Sequence, residues 1–492
     1  MSKHLILGLD IGTSSVRAAL YDMRGNLLPS TLVKNERALI ATDDGGAEID
    51  AEVAFDQVVR AIDDVLKTGR AIKGEITHVA TSCFWHSLIG VNAKAKPTTK
   101  VLAWADTRSR DQVAGLRKRF DESVIHNRTG ARFHSSFWPA KLRWLAKDST
   151  KLFARTASWL SLSDYIALKL LDEPVTSVSM ASGTGIFDIR KCDWDSELTK
   201  FLKVKTSQLP RIAGDDETFR VSRKFADRWP RLQNAEWFSA IADGAANNIG
   251  AGCVKRSKAA LMIGTSGAMR VAYRGEPPAK IPSGLWCYRI DRKRVIMGGA
   301  LSDGGGLYHW LKQNLRLGKD DDVEREIAKR DPASHGLTVM PFFAGERSTG
   351  YHENAIGSIV GLRSATDAID IVQAGLESIA YRFADIFDQL NGVSRIKNII
   401  ASGGALRESP VWTQMIADVL GRDLTLPDTR EASMRGAVLL ALETTGRIKK
   451  IDEIPTPSGK QFLADKRRKG VYASARKRHR EAYKLLIDRE NP

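Results

Sequence analysis

Cysteine is scarce in this chain, with four in 492 residues, at 83, 192, 253 and 287. Their spacing fits no metal-ligand pattern and no disulfide framework, so they read as reduced and mostly structural. Long apolar runs are missing as well. None approaches the ~18 residues that span a bilayer. The opening MSKHLILGLDIG has only a short apolar stretch before Gly8 and Asp10, too little for a signal-peptide core. A cytoplasmic protein with no membrane partner is expected. Acidic residues are in deficit, 58 against 75 Lys and Arg, which leaves a net charge of +17. Part of the excess is local, since residues 460–492 hold eleven Lys/Arg and four Asp/Glu. A basic balance attracts anions, but this tail does not read as a nucleic-acid arm. Tyr472, Ala475, His479, Tyr483 and Leu486 recur at helical spacing, which predicts a terminal helix with one packed stripe and a solvated basic face. No nucleic-acid partner is expected. Two common phosphate signatures are also lacking, the P-loop ending in Gly-Lys-Ser/Thr and the dinucleotide G-x-G-x-x-G. Any nucleotide must be held by another route.

What is present suits a chain of two to four domains. Hydrophobic residues make up 43% and charged residues 27%, enough apolar content for a core in each half. Strands are predicted at Leu5–Leu9 and Val16–Tyr21, with Leu27-Leu28 starting a third. Helical periodicity runs from Ala54 to Leu66, and Ile76–Thr81 reads as another strand. The second half repeats the opening pattern. Ala259–Ile263 and Met269–Tyr273 flank Gly264-Thr265-Ser266-Gly267, as the first two strands flank Gly12-Thr13-Ser14. Two strand–GTS–strand units suggest two related domains. Ile396–Ala401 is a further strand before Ser402-Gly403-Gly404-Ala405, and helices follow at Pro410–Leu420 and from Met434. No low-complexity linker separates the halves, so a tight hinge near residues 240–255 is expected.

Several residues could carry chemistry. A turn of Gly, Thr and Ser offers N–H groups and hydroxyls with little bulk, and can wrap phosphate oxygens or simply close a hairpin. Asp10, at a strand end before such a turn, could hold Mg²⁺ beside phosphates or cap the turn. Asp243, in ADGAANNIG, could accept a proton from an alcohol or cap a helix. Trp85-His86 and Trp104-Ala105-Asp106 put polar groups beside aromatic rings at strand ends, which suits a polyol and equally suits a core.

Taken in order, GLDIGTSSVRAALYD, WHS, WADTR, ADGAANNIGAG, MIGTSGA, GGALSDGGG, PFFAGERSTGY, SGGALRES and MRGAVLLAL resemble the FGGY family of carbohydrate kinases over nearly the whole chain except the basic tail. The resemblance implies an α/β architecture of two actin-like (ribonuclease H-like) ATPase domains. Each would be a mixed five-stranded sheet flanked by helices, with the active site in the cleft between domains. It implies a sugar-binding N-terminal domain over 1–245, a nucleotide-binding domain over 246–462 and a basic helical tail over 463–492. It further implies Asp243 as the base toward the sugar hydroxyl and Asp10 near Mg²⁺. Thr13 and Ser14 would form one phosphate loop, and Gly264, Thr265 and Ser266 the other. Gly305, Gly404 and Glu408 would lie on the nucleotide side, and Trp85, His86, Trp104 and Asp106 beside the sugar. ATP and Mg²⁺ are the implied cofactors, a small sugar or sugar acid the partner, and a homodimer one implied assembly. Within the family the chain looks most like gluconokinases, which implies D-gluconate as acceptor, with Arg108 or another cation on its carboxylate. Xylulokinase-like pentulose kinases come second. An actin-like ATPase without a sugar is the reading from another class. Two departures touch the substrate: Trp85 stands where many relatives have Met, and Ser348-Thr349 where Ala-Pro or Ser-Pro is common.

Overall fold

A computed structural model of the chain describes residues 4–429 and 431–488. Residues 1–3 of the expected first domain and 489–492 of the expected tail lie outside the described residues.

Two mixed sheets of seven strands organise the molecule. In the first, His4–Ile11 is central. It pairs antiparallel with Ser15–Asp22, which pairs antiparallel with Val33–Glu36. On its other side it pairs parallel with Glu75–Cys83, which pairs parallel with Glu236–Phe238. In the second sheet Lys258–Ile263 takes the central place. It is antiparallel to Gly267–Arg274, which is antiparallel to Arg294–Leu301. It is parallel to Asn398–Ser402, which is parallel to Leu424–Pro427. The two five-strand units therefore share order and sense, as the repeated GTS turns suggest. Each sheet carries seven strands rather than five because further strands are added at the margins: Thr218–Phe219 and Ile241–Ala242 in the first, Trp286–Asp291 and Gly459–Phe462 in the second. Leu27-Leu28 does not begin a strand. Leu27 makes a single bridge to Tyr21, a one-turn helix at Pro29–Thr31 follows, and the third strand starts at Val33. The proline and the Thr31 hydroxyl, which donates to Leu28 O and accepts from Leu20 N, turn the chain there.

The central strands explain the rest. Leu5, Ile6, Leu7, Leu9 and Ile11 are at most 1% exposed, a continuous apolar run that must be covered on both faces. Ala51–Thr68 covers one face, started by the Asp50 carboxylate on the N–H groups of Glu52 and Val53. Ala432–Thr444, from the far end of the chain, packs against His4–Ile11 and Glu75–Cys83. Its Met434, Val438, Leu439 and Leu442 belong to the same apolar cluster as the first sheet. Conversely, the helix that follows the first sheet, Asp243–Gly250, lies against Gly267–Arg274 of the second. The two helices cross each other. At the crossing a Cβ on Gly250 would collide with the Ala432 carbonyl, and one on Gly436 with the Ala246 carbonyl. The boundary expected at 245/246 falls inside the first of these helices.

The tail forms the helix Lys469–Leu486. Tyr472, Ala475 and His479 are buried, whereas Leu486 is 37% exposed, so the packed stripe is shorter than its spacing predicts. Cys83, Cys253 and Cys287 are buried and all four cysteines are free. Among the described residues no helix is long and apolar enough to cross a membrane.

The helix crossing generates a test. Gly436→Ala should lose at least about 3 kcal/mol of unfolding free energy, because rigid backbone opposes the new methyl. Gly470→Ala, in a helix with nothing within 4 Å of the new atom, should stay within about 1 kcal/mol of the parent. Equal urea midpoints for both variants would refute the tight crossing.

Candidate functional site

Two hairpin turns face the junction of the sheets. In the first, Gly12 N donates to Ser15 O at 2.9 Å. Arg37 clasps its outer edge, donating from Nε to Thr13 O at 3.0 Å and from Nη2 to Gly12 O. Thr13 is half-buried and Ser14 exposed. In the second, Gly264 N donates to Ser266 O at 2.9 Å, Thr265 is exposed, and nothing stands within 4 Å of a Cβ on Gly264. Two more glycine segments close on this turn. The amides of Gly304 and Gly306 donate to Thr265 O and that of Gly305 to Gly264 O. Gly403, at φ +106°, leaves no room for a side chain against the Ile263 backbone. Gly404 is exposed, and Glu408 Oε1 lies 3.8 Å from its Cβ position. The structure thus gathers Gly264, Thr265, Ser266, Gly305, Gly404 and Glu408 on one rim, and Thr13 and Ser14 on the opposing sheet.

Asp10 ends the first strand. The Ser82 hydroxyl donates to its Oδ1 at 2.7 Å, and Arg17 Nη1 lies 3.7 Å from its Oδ2 and 3.2 Å from Glu431 Oε2. No turn amide binds it among the described residues, so it does not cap the turn. Burial pushes its pKa up to about 6; the Ser82 bond opposes this, Asp243 adds to it, Arg17 opposes and Glu431 adds. Asp243 occupies the first position of its helix, after Ala242 as the cap residue. It is therefore not the cap either. Its Oδ1 accepts from the Gly244 amide at 2.7 Å. Burial raises its pKa, and Arg270, the Gly244 and Trp85 amides and Arg347 all favour the charged form. Mg²⁺ is commonly held by one or two carboxylates plus phosphate oxygens. Among the described residues no group of three or more His, Cys, Asp or Glu side chains could hold a metal by itself. A hard carboxylate with one hydroxyl donor, as at Asp10, fits that sparse mode of binding.

Aromatic walls stand beside Asp243. Trp85 is 6% exposed, donates from Nε1 to Ser179 O at 2.9 Å and meets Trp286 and Tyr288 edge-on. Gly183 and Gly244 flank its ring, and at Gly244 a Cβ would approach to 2.6 Å. His86, at φ +69°, contacts Gly183 O through Nδ1 at 2.6 Å. Burial drives its pKa down to about 3, so it is neutral. Nδ1 carries the proton toward the carbonyl, and Nε2 is left as an acceptor. Trp104 is half-buried under the Arg347 guanidinium, 4.5 Å from its centroid. Trp104 and Arg347 line a cleft of about 820 Å³ with Arg110, His134 and Ser302. Asp106 does not line it. Its carboxylate takes Arg108 Nη2 at 2.6 Å, Arg108 Nε at 3.2 Å and the Ala47 amide at 3.1 Å. Arg108 is also bound to Glu48 at 2.6 Å. The pair ties two loops together, and neither partner is left to meet a substrate carboxylate.

Residues that the sequence reading did not single out complete the site. Arg270, buried, and Arg347, half-buried, are cations that act on Asp243. Lys141, fully buried, donates from Nζ to His86 O at 2.9 Å and Ala103 O at 2.7 Å, tying the Trp85-His86 segment to the one holding Trp104. Burial pushes its pKa down to about 7. Arg347 stands inside the quoted PFFAGERSTGY run and Arg270 two residues past MIGTSGA, but loop position and strand alternation read as solvated charge.

Models of the FGGY family of carbohydrate kinases match this chain in two parts, the N-terminal domain over residues 5–234 and the C-terminal domain over 259–444. The chain belongs to the FGGY family of carbohydrate kinases. Among curated relatives, gluconokinase of Bacillus subtilis (strain 168) is 27% identical over 471 residues, covering 93% of this chain and 91% of that one. Glycerol kinase of Paraburkholderia xenovorans (strain LB400) is 28% identical, covering 95% and 94%. Among solved structures, gluconate kinase from Lactobacillus acidophilus superposes with TM-score 0.89 at 27% identity, covering 99% of this kinase and 98% of that chain. Ligand-bound xylulose kinase from the same organism gives 0.90 at 27%, covering 98% of each.

Asp10 generates the prediction here. Its pKa rises from 3.8 to about 6 in the fold, so the folded state binds the proton more tightly. Ionising Asp10 therefore costs stability as pH rises through that window, by up to about 3 kcal/mol at 1.36 kcal/mol per unit. At pH 7.5 and without ligands, Asp10→Asn should unfold about 1–3 kcal/mol later than the parent. Below about pH 4 the difference should vanish. Identical urea curves at pH 7.5 would show that the buried charge costs nothing.

Proposed function

We propose that this kinase transfers the γ-phosphoryl group of ATP to a hydroxyl of D-gluconate, giving 6-phospho-D-gluconate. The observation that carries the chemistry is Asp243. It is a half-buried carboxylate on the first turn of a helix, next to the Trp85 ring at Gly244, and in this reading the acceptor lies between it and the two hydroxyl-rich turns. Phosphoryl transfer asks for alignment and charge neutralisation more than for covalent help. The acceptor hydroxyl would donate to Asp243 Oδ2, since Oδ1 holds the Gly244 amide, and would lose its proton there as its oxygen bonds phosphorus. Thr13, Ser14, Thr265 and Ser266 would surround the phosphate chain with amides and hydroxyls. Gly305, Gly404 and Glu408 would border the nucleoside. Trp85, His86 and Trp104 would hold the polyol, with His86 Nε2 accepting from one hydroxyl. Asp106 supports this wall through Arg108 rather than by touching substrate. Asp10 would hold Mg²⁺, which when bound neutralises phosphate charge. The work is assigned to the cytoplasm.

The gluconate assignment is supported by the names of the gluconokinase and gluconate kinase relatives. The xylulose kinase structure is equally similar, so a pentulose is the second acceptor class. Both readings keep the same base and are separated by ADP release with D-gluconate, D-xylulose, glycerol and no acceptor. D-gluconate should stimulate most. A larger response to D-xylulose would replace the substrate and keep the mechanism. Asp243→Asn should bind ATP normally and lose at least about 10³-fold in kcat. Its acid limb is a second readout. Burial raises the pKa of the base above its ordinary value, so kcat/KM of the parent should fall on acidification at a higher pH than an ordinary aspartate would impose. Near-parental turnover by Asp243→Asn would remove it as the base.

A further inference from the structure

Arg270 is 7% exposed, and its guanidinium makes no hydrogen bond to any described residue. Nε and Nη1 are both buried and without partners. A guanidinium cannot shed its proton to escape burial, so a charge held this way needs an anion. Asp243 is the one acidic group acting on it. The two form no ion pair, and one Asp243 oxygen is already taken by the Gly244 amide. Arg347, half-buried, also acts on Asp243, with its Nε buried and unpartnered and its Nη2 donating to Leu301 O at 2.8 Å. Arg347 has Asp303 as an acidic neighbour of its own, whereas Arg270 has Asp243 alone.

The surroundings of Arg270 say what kind of anion suits it. The guanidinium lies against Gly244, where a Cβ would stand 3.0 Å from Nε and 2.6 Å from the Trp85 ring. Its stem passes Gly298, whose Cβ position lies 3.0 Å from Arg270 Cγ and 3.1 Å from the Trp286 ring. Arg270 thus points among the aromatic walls and not at the turn. It sits four residues along the strand from Ser266, and a strand rises ~3.3 Å per residue. That separation, about 13 Å along the backbone, sets it apart from the phosphate turn.

We infer that Arg270, assisted by Arg347, is the carboxylate-recognising residue of the acceptor site, selecting a polyhydroxy acid over a neutral sugar. This rests on the gluconate reading above. A carboxylate there would receive charge-assisted, forked hydrogen bonds from a group the fold leaves unpaired. Arg108, the cation offered by the sequence, is excluded by its bonds to Asp106 and Glu48.

The test uses the full-length kinase and two acceptors of equal length, D-gluconate and the neutral D-gluconamide. The parent should favour D-gluconate by at least about 30-fold in kcat/KM. Arg270→Gln should lower the preference for D-gluconate over D-gluconamide by at least about 20-fold, mostly through KM for D-gluconate, over and above any loss common to both acceptors from removing a cation that favours ionised Asp243. Arg270→Lys should fall between, since it keeps charge without the fork. Equal use of both acceptors by the parent would overturn the assignment without any variant, so a misfolded Arg270→Gln does not shelter it. Equal losses on both acceptors would also overturn it, and would mean that Arg270 acts through Asp243. A parent that phosphorylates D-xylulose and neither acid nor amide would instead overturn the gluconate reading, and this inference with it.

Discussion

The close crossing of Asp243–Gly250 with Ala432–Thr444 is the constraint on which the site depends. Each helix follows the last parallel strand of one five-strand unit and packs on the other sheet. Contact of backbone with backbone through Gly250 and Gly436 fixes their separation to within the size of a methyl group. Asp243 opens one helix, and Glu431 immediately precedes the other. Glu431 binds Arg17, which in turn faces Asp10. The spacing of these acids is therefore set by helix packing and not by the loops that carry them. A shift at the crossing would move Asp243 relative to Asp10, the two acids to which the proposed transfer assigns the base and Mg²⁺.

Burial has an energetic consequence at every one of these groups. Asp10 and Asp243 are raised by desolvation, and Arg270, Arg347 and Lys141 are lowered by it. An isolated buried charge destabilises a fold, so such a cluster makes sense as a place prepared for ligands that complete it. Asp303, next to Ser302 of the cleft, follows the same pattern. Burial pushes it up to about 6 while the Ala344 and Phe343 amides hold its charged form. The low dielectric that makes these charges costly also strengthens their action on a bound phosphate or carboxylate.

Much of this was legible in the sequence, for definite reasons. Glycine-rich turns between apolar strands have few alternatives, so Gly12–Ser14 and Gly264–Ser266 could be placed and recognised as a repeat. Asp10 and Asp243 stood out because an acid at a strand end interrupts an apolar run. Their geometry, however, required coordinates: both could have been caps, and neither is. Asp106 is the instructive opposite, since a Trp-x-Asp run beside a sugar segment does not reveal that Arg108 consumes the carboxylate. Lys141 and Arg270 escaped notice because a lone cation in a helix or strand reads as solvated. Only tertiary packing shows that the Arg270 guanidinium lies against Gly244, in a helix that ends well before it in the chain. The extra edge strands were equally invisible, being short pairings decided by their neighbours.

The basic tail acquires a structural role from the same logic. Arg476 and Arg480 pair with Asp385 and Asp388, and Arg468 with Asp418, so part of its positive charge is matched internally. Tyr483 donates to Glu346 Oε2 at 2.7 Å, and Arg382 grips the other oxygen of that buried acid. Glu346 directly precedes Arg347. The helix that lies outside the family match thus fastens, through one phenol, the loop whose Arg347 lies over Trp104. Exposed pairs among these contribute little stability, but Glu346 and Arg382 are buried, and removing the half-buried Tyr483 would leave a carboxylate oxygen without its donor one residue from the cleft. A tail that looks dispensable by composition is, by geometry, a support of the loop that carries Arg347.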